Sequence, residues 1–406
     1  MSTDDIAISG VRWLVVAEEA FVPADSGGRV ESLNLVRAAA AAGVALDVLV
    51  PGITADEERA HRAALPGARL DRIPRRTGWA SHASRTPYLF TSRPFPTEFL
   101  PELRRRHAAD PYTSVVAISF RTAHLAIAIA RSLDVPAIVR PHNIESQYFR
   151  QLAMGVRPPL NIPYLMEARK LERAEEIIHR SSRIALFAEI AQGDVAPRAA
   201  LTSTPVIHVP PFLPPAAVTQ PQNRSTSREG VVLFLGALDN ANNVSGIRWF
   251  TQRCWPGLRG ARPGARLHVV GRRAPEALVT ELRGAGAQVT VDAPEVASHL
   301  AAADVFVNPV RSGAGINIKM VEAMAAGLPV VTTSVGARGL HWRPGEHMLV
   351  ADDPDAFREA VTLLLDDPDR RAELATAGQR FVAGLDGVGQ IRRLVAEVAR
   401  LAGAHG

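Results

Sequence analysis

The chain has 406 residues, 47% of them hydrophobic and 5% aromatic, a composition that predicts two domains, each able to bury its own core. A single cysteine, Cys254, excludes a disulfide framework and a cysteine-built metal site, and its place beside Trp255 predicts a core thiol. The formal net charge of +5 is too dispersed for a nucleic-acid surface, so no nucleic-acid partner is expected.

Residues 11–17 form a continuous apolar run, which predicts a buried parallel strand. A turn with Pro23, Asp25, Ser26, Gly27 and Gly28 follows, then a helix over 29–42 and a strand over 44–50. The glycine turn therefore lies at the C-terminal end of a strand, where open parallel sheets place ligands. Residues 69–106 hold nine arginines against three acids, interleaved with Trp79, Tyr88, Phe90, Phe95 and Phe99. This window reads as a solvated loop, with contact to an anionic membrane surface or a phosphorylated acceptor as the second reading. Strands at 115–120 and 137–140, a long amphipathic helix over 164–181 and strands at 183–187 and 206–209 complete the first half. Residues 214–230 are rich in Pro, Gln, Ser, Thr and Asn and read as a linker.

A second alternation then begins. Strands are expected at 231–235, 266–270, 288–291, 305–308 and 329–333, with helices over 243–254 and from Gly271 through 282. The expected fold class is α/β: two doubly wound, Rossmann-like domains facing each other across a cleft. They span 1–213 and 231–385, and a helix over 386–406 is expected to pack back on the first. The first residues lack a signal-peptide pattern and no apolar run would span a bilayer, so a cytoplasmic location is expected, peripheral to the membrane's inner face on the second reading of 69–106.

The densest chemistry lies in NPVRSGAGINIKMVEAMAAGLPVVTTSVGARGL, residues 308–340. It reads as a buried strand, a glycine-rich turn (Ser312, Gly313, Ala314, Gly315), then Ile316 and Asn317 leading into a helix. Backbone N–H groups at such a turn can face a phosphate or a sugar oxygen. Glu322 follows within the helix, where its two acceptor oxygens would take both hydroxyls of a diol. Of 46 basic residues only Lys170 and Lys319 are lysine, so Lys319 inside this motif points to a need for a compact ammonium on a phosphate. Asp353-Pro354-Asp355 has an acid-x-acid form but reads as a helix cap, so neither a metal nor a resident cofactor is expected.

With PADSGGRVESLNLVRAAAAAG at 23–43, RPHNIES at 140–146, EAMAAGLPVV at 322–331 and the tail PGEHMLVADDPDAFREAV, the chain resembles the GT-B glycosyltransferases of family 4 over nearly its whole length. Those are mostly retaining sugar-nucleotide enzymes. The resemblance implies that Glu322 binds the ribose hydroxyls and that Gly27 and Gly28 approach the diphosphate and reacting carbons. It places His142 near the donor sugar. Asp25 and Arg29, beside the glycines, are candidates for contact with acceptor or phosphate, and Asn143 and Glu145 are candidates for the acceptor side. Gly236, Gly271 and the 312–317 turn fall on the donor side. Two departures stand out. Ala314 occupies the position, eight before Glu322, where relatives usually carry a second acid for a sugar hydroxyl. The stretch Leu235-Gly236-Ala237-Leu238-Asp239-Asn240-Ala241-Asn242-Asn243 lacks the Arg and Lys that many relatives place on the diphosphate. Lys319 and Arg311, with Arg272 third, are the candidates to replace them, as in a subgroup with lysine at the position of Lys319.

The implied reaction moves a sugar from a UDP- or GDP-type donor to a hydroxyl of a glycan, lipid-linked or small-molecule acceptor, with retention. Two alternatives share the fold: a sugar-nucleotide epimerase, which would need a set of cleft acids, and a non-catalytic nucleotide-sugar-binding protein. A dinucleotide oxidoreductase is excluded by the missing glycine fingerprint after every expected strand. Residue usage rich in Ala and Arg and poor in Lys points to a high-GC bacterium.

Overall fold

A computed structural model of the chain describes residues 8–24, 26–76, 84–154, 156–212, 230–293, 295–313 and 316–403. Asp25, Trp79, Ala314, Gly315 and nearly all of the expected linker thus lie outside the described residues. The chain divides into two compact units, one formed by Met1–Leu213 with Asp386–Gly406 and the other by Pro214–Leu385.

The first unit is built on seven strands: β1 (Arg12–Val16), β2 (Ala45–Pro51), β3 (Arg69–Ile73), β4 (Ser114–Ala117), β5 (Ala137–Val139), β6 (Ile184–Glu189) and β7 (Val206–His208). They pair in the order β3-β2-β1-β4-β5-β6-β7, every neighbour parallel. Successive side chains of β1 enter opposite layers: Trp13 and Val15 pack with the helix Gly27–Ala41, Leu14 and Val16 with the helix Ala123–Leu133. Both faces are therefore covered, which is why the strand reads as an unbroken apolar run. The helix Gly387–Gly403 belongs to this unit, with Ile391, Leu394 and Val398 in the same core as Leu35 and Val36.

The second unit carries β8 (Val231–Ala237), β9 (Arg266–Arg272), β10 (Ala287–Val291), β11 (Val305–Asn308), β12 (Val330–Thr332) and β13 (Leu349–Val350). Their order is β10-β9-β8-β11-β12-β13, again all parallel. In each sheet the order reverses once, between β1 and β4 and between β8 and β11. The loops leaving those strands flank the crevice where doubly wound sheets bind ligands.

The Arg-rich window is not the solvated loop expected of it. It holds the edge strand β3 and the helix Leu100–Ala109. Arg106 is buried and bonded to Asp71 (2.6 Å) and Glu102 (2.8 Å), so acids of β3 and of its own helix take up charge that composition alone suggested was free. The expected helix 243–254 is also more divided: Ala241–Trp249 is α-helical, Phe250–Cys254 forms a π turn, and Trp255–Ala261 resumes the α-helix. Cys254 is buried there, its thiol pushed up to about 12 by burial.

Candidate functional site

In the second unit, the loops after β8 and β11 meet. Asn240 begins the helix Ala241–Trp249, its Oδ1 accepting from the backbone N–H of Asn242 (2.9 Å) and Asn243 (3.4 Å). That cap fixes the next two asparagines. Ser312 Oγ donates to Asn242 Oδ1 at 2.8 Å, and Lys319 Nζ donates to Asn243 Oδ1 at 2.8 Å. Asn243 in turn donates from Nδ2 to the Ala237 carbonyl (3.0 Å). The ammonium also lies 4.7 Å from the centre of the Phe234 ring. Lys319 thus reaches from the second loop to the first, the one that lacks cations of its own.

Glycines make this approach possible. A Cβ on Gly236 would stand 3.0 Å from the Asn243 amide, and one on Gly271 would strike the Gly236 carbonyl oxygen at 2.4 Å. Gly313 adopts φ +126, which disfavours any L side chain, and sits against Asn242.

Glu322 lies one turn beyond Lys319 on the helix Ile318–Ala325. Burial pushes its carboxyl up to about 7, and burial likewise pulls the Lys319 ammonium down to about 7. No opposing charge contributes to either shift, so neither group offsets the other. Two half-buried, uncompensated ionisable groups on one helix face mark a ligand site more often than a structural one. No side chain caps this helix, since Asn317 Nδ2 is instead held by the Gly336 carbonyl (3.0 Å). Arg311 is exposed, its guanidinium 5.2 Å from the centre of the Trp249 ring. Arg272 is half-buried at the end of β9, where its carbonyl accepts from the Leu238 N–H (2.9 Å).

In the first unit, Gly27 and Gly28 open the helix Gly27–Ala41. Both are exposed, Ser26 makes no side-chain cap, and a Cβ on Gly28 would meet nothing within 4 Å. The N–H groups of the first turn are therefore without a side-chain cap from Ser26. Arg29 Nε donates to Glu19 Oε1 at 3.0 Å. The loop after β5 is gripped from two sides. Arg140 is buried and donates to Glu31 (2.7 Å) and the Val209 carbonyl (2.9 Å), while Arg198 donates to the Asn143 carbonyl (3.1 Å). Between these anchors stands His142, whose Nε2 is shielded from solvent and without a hydrogen-bond partner among the described residues. Burial lowers its pKa, so a neutral imidazole is favoured.

The composition gave no hint of an ion network beside it. Arg121 bridges Glu18 (2.7 Å) and Glu145 (3.2 Å), and Arg93 donates to the Glu18 carbonyl (2.8 Å). Burial would raise the Glu18 carboxyl, but Arg121, Arg93 and His142 hold it down, to about 2. Glu145 is buried in this network rather than open to a partner. Glu145 was legible as a candidate, and the acid Glu18, two residues past the end of β1, is a second sequence signal that points here.

Elsewhere, Asp353 caps the helix Pro354–Asp366 by accepting from Asp355 N (2.8 Å) and Ala356 N (3.2 Å). Among the described residues there is no group of three or more His, Cys, Asp or Glu side chains placed to hold a metal ion. No helix among them is long and apolar enough to cross a membrane.

Two family models match the chain. One, described as a glycosyl transferase 4-like domain, matches residues 26–217, and the other, glycosyl transferases group 1, matches 229–367. A GDP-mannose-dependent monoacylated alpha-(1-6)-phosphatidylinositol monomannoside mannosyltransferase of Corynebacterium glutamicum is 31% identical over 142 residues, 32% of this chain and 37% of that protein. A phosphatidyl-myo-inositol mannosyltransferase of Mycobacterium leprae is 31% identical over 161 residues, 38% of this chain and 42% of that protein. The chain therefore matches only about two fifths of the length of these relatives. Among solved structures, Anabaena Alr3699/HepE in complex with UDP-glucose superposes with TM-score 0.65 at 14% identity, over 96% of this chain and 99% of that one. Sucrose-phosphate synthase from Thermosynechococcus elongatus gives 0.67 at 16% identity, over 97% and 100%. These likenesses establish the fold.

Proposed function

Given that the chain belongs to the GT-B glycosyltransferases of family 4, we propose that it transfers a sugar from a nucleoside-diphosphate sugar to an acceptor hydroxyl, with retention at the anomeric carbon. The observation that carries this reading is the pair Lys319 and Glu322, each half-buried without an opposing charge. A nucleoside diphosphate supplies what each lacks: phosphate oxygens for the ammonium and a ribose diol for the carboxylate.

In this reading, Glu322 holds the ribose and Lys319 stabilises the departing diphosphate. The amides of Ser312 and Gly313, and of their neighbours Ala314 and Gly315, assist. Catalysis is then leaving-group stabilisation with positioning, and needs no metal. Lys319, which bridges the two loops, is the principal cation of this reading, with Arg311 second. In the first unit, the exposed start of the helix at Gly27 and Gly28 and the neutral His142 are the candidate substrate contacts. The names of two relatives invoke GDP-mannose and phosphatidylinositol, while a structural neighbour was crystallised with UDP-glucose, so both bases and both sugars belong in the test.

Thermal-shift measurements with UDP, GDP and their sugars should show stabilisation by one base over the other. Donor turnover with candidate acceptors, followed by NMR of the product's anomeric centre, then tests transfer and retention. Equal indifference to every nucleoside diphosphate would overturn the reading, and binding without turnover on any acceptor would favour a non-catalytic binder.

A further inference from the structure

The helix Ile162–His179 has two apolar faces. Ala168, Leu171 and Ile178 are buried on one side. On the other, Ile162, Leu165, Met166 and Ile177 recur at i, i+3, i+4 and i+15, which places them on a single stripe, and all four are exposed. Met154 and Leu160, ahead of the helix in the chain, are exposed as well, and the six side chains are between 40% and 80% exposed. Isolated exposed hydrophobic residues are ordinary, whereas several gathered on one helix face mark a contact surface.

The charges around it are one-sided. Arg169 and Arg173 lie on the same stripe and Arg157 beside Leu160; all three are exposed and make no ion pair among the described residues. The nearby acids are engaged: Glu172 with Arg150, Glu176 with Arg180, and Glu167, which is buried, with Lys170. Three of the seven residues 157–163 are proline (Pro158, Pro159, Pro163), so this stretch exposes fewer N–H groups that would need a partner in an apolar medium.

We propose that this face of the first unit docks on the surface of an anionic phospholipid bilayer. The apolar side chains enter the headgroup–acyl boundary and Arg157, Arg169 and Arg173 meet lipid phosphates. A second copy of the chain fits less well, because a two-fold contact through this patch would set the three arginines against their own counterparts. Among the described residues of the Arg-rich window 69–106, Arg93 and Arg106 are buried and Arg72, Arg75 and Arg105 pair with Glu58, Glu19 and Glu102, so those five offer less free charge to lipid phosphates than the three arginines of this face. The proposal does not depend on the reaction assigned above.

Flotation of the full chain with vesicles of phosphatidylglycerol and phosphatidylcholine tests it. The protein should bind these vesicles, bind pure phosphatidylcholine weakly, and be released partly by salt. The variant Ile162→Gln/Leu165→Gln/Met166→Gln should lose about tenfold or more of its partitioning, and Arg157→Gln/Arg169→Gln/Arg173→Gln a comparable amount on anionic vesicles only. Thermal midpoints within the wild-type range show that both variants are folded. Absence of wild-type binding, equal binding by the folded variants, or conversion of a wild-type dimer to a monomer by the apolar variant would each overturn the proposal.

Discussion

Lys319 and Glu322 lie one turn apart, yet each bears the cost of burial alone. Their effects on stability run in opposite directions. Glu322, raised from 4.5 to about 7, favours the folded state below pH 4.5, and that contribution disappears as pH rises through about 7. Lys319, lowered from 10.5 to about 7, leaves the unfolded chain holding the extra proton between those values, so stability climbs with pH across that window. The ligand-free protein should therefore show a thermal midpoint that falls between pH 4.5 and 7 and then recovers. Glu322→Gln should flatten the first limb and Lys319→Met the second. In calorimetry above pH 7, diphosphate binding should take up a proton on Lys319, visible as a dependence of the heat on buffer ionisation enthalpy. Lys319→Ala should weaken diphosphate binding by about 1.5–3 kcal/mol, the worth of a hydrogen bond to a charged group, and Lys319→Arg should restore little of it. Chelation by EDTA should leave turnover unchanged. Lysine scarcity made Lys319 visible in the sequence. Its partner Asn243, 76 positions away, was invisible, because no local pattern records which loops meet in space. The Glu18–Arg121–Glu145 network was hidden for the same reason, its first two members being 103 positions apart.

The strands were the most legible elements. β1 and β11 are buried along nearly all their length and β8 through its centre, and that burial is written as apolar runs. β3 was missed because an edge strand reading Arg-Leu-Asp-Arg-Ile alternates charge with apolar residues, and its charges are satisfied by a neighbouring helix. The helix Ala55–Ala64 carries a capping box between Thr54 and Glu57, a signal present in the sequence but overlooked among its charges. The glycines separate into two kinds that sequence cannot distinguish. Gly271→Ala would force a Cβ against the Gly236 carbonyl at 2.4 Å and Leu238 at 2.6 Å. It should cost about 1–3 kcal/mol, a loss readable in a denaturant midpoint. Gly28→Ala faces open space and should hold or slightly raise stability, by up to about 1 kcal/mol, while lowering turnover. A variant pair behaving alike in both assays would contradict this division.

At the scale of the whole molecule, composition indicated two α/β units because each alternation of strands and helices is long enough to enclose a core. The chain does not finish in the unit it visits second, however. It returns from Leu385 to the first unit with the helix Gly387–Gly403. Truncation after Leu385 should expose the surface covered by Ile391, Leu394 and Val398, at about 1.5–3 kcal/mol for each side chain. The second unit should keep its nucleotide response in that variant, while the first becomes prone to aggregate, as light scattering and thermal shift would report. The returning helix also sets an order of events during synthesis. The ribosome emits the 172 residues of Pro214–Leu385 before the segment that completes the first unit. At about 5–20 residues per second, the nascent first unit waits about 10–35 s with part of its apolar surface uncovered. The later-made unit is thus the first to be finished, and the interval is a window in which a chaperone would find its target.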